Sequence, residues 1–267
     1  MKLNSSLHTK RCLTILLFLG ICICEPVNAQ NQHELETYFN KNQLDQIQKY
    51  VTDYKNIKTA HDLHTVYLEI VQMSRNLEDT LSAKQEKTVG WNLEFSWMDT
   101  IISGLSFNRY EGTAVSIKPK LQIFKSIAKS TPEKCDDDFI EIIISTYGEE
   151  YFFPKWIHQT WDYGGTSLLG DETELNILIK IQTTLSSNKE FEMELNKIKQ
   201  DILSDIVGSG WYNYNSQKII AEINKILAYI KLTEEEKNRL MKRIEEFKNP
   251  PQNLHIDCEH KECKCGG

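Results

Sequence analysis

The chain has 267 residues, 40% apolar and 26% charged, with 31 Lys+Arg against 38 Asp+Glu for a net charge of −7. This is an ordinary globular composition, long enough to bury one substantial core or two modest ones. The acidic balance argues against nucleic acid or an anionic membrane as partner, because both reward basic patches.

At the start, Lys2, Lys10 and Arg11 precede a charge-free run of 13 residues from Cys12 to Cys24, and "EPVNA" then supplies small residues. A run this short falls below the ~20 residues that span a bilayer. Residues 1–29 therefore read as a cleaved export signal with the cut after Ala29, against the competing reading of an uncleaved anchor. A lipid anchor would need a small residue before a cysteine, and Cys22 and Cys24 each follow isoleucine. The expectation is an exported chain, periplasmic or secreted, with no stable membrane span. Loss of Lys2, Lys10, Arg11 and Glu25 leaves 28 Lys+Arg against 37 Asp+Glu, a net charge of −9.

In almost every segment between turn signals the apolar residues recur at three and four, the helical period. Leu44, Ile47, Val51 and Tyr54 form the first stripe and Leu63, Val66, Tyr67 and Ile70 the second. A third helix is expected over Trp97, Met98, Ile101, Ile102 and Leu105, although Trp91, Leu93, Phe95 and Trp97 also alternate at period two. Ser130 and Thr131 before Pro132 read as a cap and first turn, opening a helix along Cys135, Phe139, Ile142 and Ile143 that Gly148 stops. Asp171 with Glu174, and Thr233 with Glu236, read as capping boxes. Further stripes run through Leu175–Ile179, Phe191–Ile206, Ile219–Ile230 and Leu240–Phe247. No hairpin stands out. The fold class is all-α, an irregular multi-helix bundle or a short stack of helical hairpins with roughly eight to ten helices. Residues 30–249 form one helical domain, with two lobes meeting near 162–171, and 250–267 a non-helical tail.

Two regions concentrate side chains with binding chemistry. In "YGEEYFFPKWIHQTWDYGG", Tyr151, Trp156, His158, Trp161, Asp162 and Tyr163 gather aromatic and polar groups beside a glycine loop. Such a mixture suits a ligand or partner groove, because Trp and Tyr bury large areas yet keep a polar handle, and it equally suits a core corner. If Pro154 opens a helix, Ile157, His158 and Trp161 share a side. Trp211, Tyr212 and Tyr214 either complete the pocket or seal a turn. The second region is the tail "HIDCEHKECKCGG", where His255, Cys258, His260, Cys263 and Cys265 fall within eleven residues. Thiolate and imidazole together suit zinc or copper. Export into an oxidising compartment favours disulfides instead, with Cys258 joined to Cys263 or Cys265 and the remaining cysteine sent to Cys135.

His61 and His64 lack the spacing of a zinc-protease motif and read as solvated residues at a helix start. No nucleophile elbow, phosphate loop or dinucleotide fingerprint is present. The leading expectation is an exported, non-catalytic binding protein of the cell envelope that contacts a protein or ligand, for instance a basic protein, through the aromatic groove. Metal handling by the tail is one alternative. The other is an enzyme acting on glycan or peptidoglycan, with His158, Asp162 or nearby glutamates as acid or base.

Overall fold

The computed structural model describes residues 29–88, 93–109, 112–149, 153–159, 165–258 and 264–265. Of residues 1–29, expected to be an export signal, only Ala29 is among them. Ten helices dominate: α1 (Ala29–Tyr38), α2 (Lys41–Lys55), α3 (Ala60–Lys87), α4 (Met98–Ile101), α5 (Leu121–Ala128), α6 (Cys135–Tyr147), α7 (Thr173–Ser187), α8 (Glu192–Gly208), α9 (Ser216–Tyr229) and α10 (Glu234–Lys248). Among the described residues no helix is long and apolar enough to cross a membrane. The all-helical class read from the periodicity is the observed one.

The longest element, α3, starts where the Thr59 hydroxyl accepts from the Asp62 amide and Asp62 reaches back to the Thr59 amide, a reciprocal cap. Leu63, Val66, Ile70, Met73, Leu77 and Leu81 then recur on one face, all at most 3% exposed. Each such side chain contributes about 1.5–3 kcal/mol when taken fully out of water. Against this face pack α2 and α6. The same reciprocal cap forms at Thr233 and Glu236 on α10. One hydrophobic cluster includes residues from Leu35 to Leu254.

The absence of hairpins expected from the sequence is corrected by three short antiparallel pairs. They are β1 (Leu105–Arg109) with β2 (Val115–Pro119), β3 (Ile157–Gln159) with β4 (Gly165–Ser167), and β5 (His255–Ile256) with β6 (Lys264–Cys265). Phe107 pairs with Ile117, and Leu105, Phe107, Val115 and Ile117 all point into the core. The outer edges are closed by side chains: Val115 and Ile117 amides donate to Ser82 Oγ (2.9 Å) and Glu78 Oε1 (2.7 Å) of α3, and the Phe107 amide to Asp99 Oδ1 (2.7 Å). Helix side chains thus stand where a third strand would pair.

The third expected helix shrinks to the single turn of α4, and Leu105 opens β1 instead. Gly104 takes φ +81°, and a Cβ there would lie 2.6 Å from the Tyr54 ring, so only glycine lets the chain turn against that ring. Pro132 does not begin α6, which starts three residues later at Cys135 without a side-chain cap. Thr131 instead donates to Asp136 Oδ2 (2.6 Å), holding a turn ahead of the helix. No helix opens at Pro154, because the chain goes into β3 and pairs back with β4.

At the centre of the C-terminal helices lies the segment joining α8 to α9. Tyr212 is fully buried and donates its hydroxyl to the Ile206 carbonyl (2.9 Å). Arg243, only 7% exposed, donates to that carbonyl (3.2 Å), to Tyr212 Oη (2.8 Å), to the Ser209 carbonyl and to Glu246. Its guanidinium also lies 4.9 Å from the centre of the Phe247 ring. One cation therefore serves the C-terminus of α8, the joining segment and α10. Replacing it by methionine keeps much of the volume and leaves those acceptors without a donor. Arg243→Met is expected to cost about 2–4 kcal/mol, read as a lower urea midpoint by far-UV circular dichroism. An unchanged midpoint would show that the network contributes nothing net.

Candidate functional site

Of the aromatic segment, Tyr151, Trp161, Asp162 and Tyr163 lie outside the described residues. The two that can be placed do not act together. His158 is exposed on β3, opposite Thr166. Trp156, expected as contact surface, is 2% exposed and belongs to the core. The Leu168 amide donates to its carbonyl (2.8 Å) and the Lys155 amide to the Thr146 carbonyl (2.7 Å), which turn this stretch inward under the hairpin. Tyr212 is core as well, and Trp211 is 47% exposed and stacks flat on the His255 ring, centroids 3.8 Å apart. Glu149 is exposed and accepts from Gln122 Nε2 (2.7 Å).

The segment nonetheless walls a cavity. A space of about 530 Å³ lies between Tyr147, Pro154, Trp156 and Ile157 on one side and Asp201, Ser204, Asp205, Gly208 and Ser209 at the end of α8 on the other. Asp205 distinguishes it. Burial pushes this carboxyl up to about 6, against the opposing effects of the Ser167 hydroxyl and the Arg243 charge, and Oδ2 is buried without a hydrogen-bond partner. A carboxyl that changes charge near neutrality on a cavity wall is a physical marker of a functional site. Sequence reading passed over Asp205, because a lone aspartate in the last turns of a helix carries no local signal.

A second concavity, about 410 Å³, lies between α7, α8 and the α9–α10 link, with Leu178, Ile181 and Leu232 among its lining. Two of its three lysines are engaged: Lys189 with Glu192 (2.6 Å), and Lys199 with the Lys231 carbonyl (3.0 Å) and Glu236 (3.3 Å).

In the tail, His260 and Cys263 lie outside the described residues. His255 sits in β5, its backbone hydrogen-bonded to Gly210 and Tyr212, and Cys265 lies opposite it in β6. Cys258 is disulfide-bonded. Its partner is not Cys135, which is a free, buried thiol whose proton affinity burial raises. The expected tether from the tail to Cys135 is thereby corrected, since Cys135 sits in the core at the start of α6.

The expected cap at Asp171 and Glu174 takes a different form. The residue before α7 is Glu172, in a left-handed conformation with φ +71° and no capping side-chain bond of its own. Asp171 Oδ1 accepts from the Thr173 amide (2.9 Å). The main cap comes from α9: Glu222 Oε2 accepts from the Gly170 (2.6 Å) and Glu172 (2.9 Å) amides, and Oε1 from Leu175 (3.2 Å). Glu174, freed from capping, turns inward and is fully buried with neither oxygen hydrogen-bonded. Asp171, Glu174 and Glu222 bring one oxygen each within 4.8 Å of one another. Burial, with the Glu222 charge beside it, drives the Glu174 carboxyl well above the usual range, and burial raises Glu222 too.

His61 and His64 are not simply solvated. Both Nδ1 atoms meet Glu190 Oε1, at 2.9 and 3.0 Å. His64 also packs against Phe191, the rings tilted by 51° with centroids 4.7 Å apart, and its Nε2 stands 3.2 Å from Glu194 Oε2. The hydrogen bonds from His61 and His64 hold the Glu190 carboxyl below its ordinary value. This cluster ties the start of α3 to the start of α8, a structural role.

The raised Asp205 value has a definite consequence for stability. The folded state keeps its proton up to about pH 6 and the unfolded state releases it near 3.8, so the Asp205 contribution is lost as pH rises between those values. Asp205→Asn is expected to remove this loss, making the variant more stable than wild type at pH 7.5 by about 1–3 kcal/mol and no more stable at pH 4. Urea unfolding of both proteins at the two pH values measures it. Equal differences at both would rule out burial of the Asp205 charge.

Comparison with protein-family models, curated proteins and solved structures finds no match for this chain.

Proposed function

We propose that this chain is an exported, non-catalytic binding protein that takes a lysine or arginine side chain of a basic partner protein into the cavity between Trp156 and Asp205. The observation that carries the reading is Asp205 itself, an acidic group near its titration point on the wall of a space large enough for such a side chain. Asp201, Ser204 and Ser209 supply further oxygen acceptors around it, and the half-buried Tyr147 ring offers aromatic surface to a cation. The acidic charge of the chain favours encounter with a basic partner over long range. Export rests on the basic, apolar and small-residue layout of residues 1–29. The aromatic segment keeps its part in binding, with its anchor moved from His158 and the outer face of Trp156 to Asp205.

The test is fluorescence anisotropy of a labelled arginine-rich peptide titrated with the protein. Binding is expected at pH 7.5, weaker at pH 5 where Asp205 is mostly protonated, and weaker as salt rises. Asp205→Asn is expected to weaken it about tenfold, the equivalent of about 1.4 kcal/mol. An affinity indifferent to pH, salt and the substitution would end the proposal.

A further inference from the structure

The carboxylates at the start of α7 carry a second site, independent of the cavity. We infer that Asp171, Glu174 and Glu222 bind a divalent hard cation, calcium, at the junction of the β4–α7 turn with α9. The ligand set is all oxygen, which suits calcium or magnesium and not a thiophilic metal. The three ligand oxygens lie within 4.8 Å of one another, about twice a calcium–oxygen bond.

Each residue is prepared differently for the role. Glu222 Oε2 is occupied by two amides and Oε1 by one, so the carboxylate is fixed in place and Oε1 keeps a lone pair for an ion. Asp171 uses Oδ1 to accept from Thr173 and leaves Oδ2. It is exposed, and so marks the side from which an ion and its remaining waters enter. Glu174 is the observation that separates this site from an ordinary acidic cluster. It is fully buried, neither of its oxygens accepts a hydrogen bond, and it sits against the other two carboxylates. Nothing in the surrounding packing explains an acid there. A valine or leucine would fill the space without the desolvation cost that an unpaired buried carboxyl carries. Two free oxygens on one carboxylate allow bidentate ligation, which calcium accepts readily and magnesium, with its tighter octahedral geometry, does not.

A shared proton is the competing way to hold these groups together. It would leave one Glu174 oxygen bare and place no charge between Asp171 and Glu222. A divalent ion answers both deficits.

The experiment uses the full chain, stripped with chelator and then titrated with calcium, with melting temperature and isothermal calorimetry as readouts. At a calcium concentration about a hundredfold above Kd the midpoint is expected to rise by about 5–10 °C. Glu174→Gln is expected to abolish that rise while melting no lower than wild type in chelator, because the amide can donate to its neighbours and needs no counter-ion. Should Glu174→Gln fail to fold, Asp171→Asn, at the exposed mouth, is expected to fold normally and to weaken calcium at least tenfold. No calcium-dependent rise in wild type would overturn the inference and favour the shared proton. A rise that survives both substitutions would overturn it as well, since the ion would then sit elsewhere.

Discussion

Pairing of the backbone around the fully buried Tyr212, from Gly210 to Tyr214, is the constraint on which the C-terminal half depends. This segment links α8 to α9, and a buried peptide group left without a partner costs about 1–3 kcal/mol. Helices cannot supply partners, since their own backbone groups are already paired. The chain meets the demand with pieces of strand from two distant places. Ser167 donates to the Trp211 carbonyl (2.8 Å) and accepts from Asn213 (2.9 Å), while His255 donates to the Gly210 carbonyl (2.8 Å) and accepts from Tyr212 (2.9 Å). Asp257 and Cys258 continue the line to the Tyr214 and Tyr212 carbonyls. The β3–β4 hairpin and the docked part of the tail are therefore not ornaments on a helical bundle. They are the hydrogen-bond partners of the segment that joins α8 to α9 around the buried Tyr212.

That arrangement also decides where the chain's charges come to rest. Arg243 is drawn inward by the carbonyls at the end of α8 and by Tyr212, so it serves neutral oxygens and Glu246 and is not paired directly with Asp205. The amides at the start of α7 go to Glu222 and Asp171. Asp205 and Glu174 are left with the least compensation, and they are the two carboxyls that burial raises most clearly in this part of the molecule. Both stand close to the tie between β4 and the Gly210–Tyr214 segment. The same backbone requirement that orders the segment thus gathers acidic groups that, among the described residues, have no directly paired cation, Arg243 acting on Asp205 only from a distance.

Legibility in the sequence divided along physical lines. α2, α3, α8, α9 and α10 were readable because each has three or more turns with an apolar face, and because Thr233 and Glu236 report a cap through local spacing alone. The five-residue strands β1 and β2 were passed over although Leu105, Phe107, Val115 and Ile117 alternate, since the helical stripe from Trp97 to Leu105 ran into the same residues and Gly104 was not recognised as the break. The candidate sites were hardly legible. Asp171 and Glu174 have the spacing of a capping box, but Glu222, about fifty residues further on, takes the Gly170, Glu172 and Leu175 amides around them and leaves Asp171 only that of Thr173. Competition from a distant residue leaves no trace in local spacing. Trp156 illustrates the converse, an aromatic residue in a polar, glycine-flanked stretch whose burial is decided by a hairpin folding over it. In the tail, the density of cysteine and histidine was plain, yet the part that can be seen owes its order to backbone pairing of His255 with Gly210 and Tyr212.

The cavity and the carboxylate cluster share no lining residue, but Asp205 and Glu174 lie within electrostatic reach of one another. The Asp205 charge contributes to raising Glu174, and Coulomb interaction is mutual, so the state of Glu174 bears on Asp205 in turn. A cation held by Asp171, Glu174 and Glu222 would replace a group that must stay protonated with a centre of opposite sign. Asp205 would then ionise more readily, and the cavity would present its full negative charge to a basic side chain at a lower pH. The coupling is reciprocal: ionisation of Asp205 favours joint binding of the ion and the cationic side chain, while direct repulsion between the two positive charges opposes it, and each contribution acts on both sites alike. The two effects differ in sign because one acts through ionisation of Asp205 and the other through direct repulsion. Their balance depends on pH: below about 6 Asp205 is mostly protonated and the first effect dominates, while well above that value only the repulsion remains.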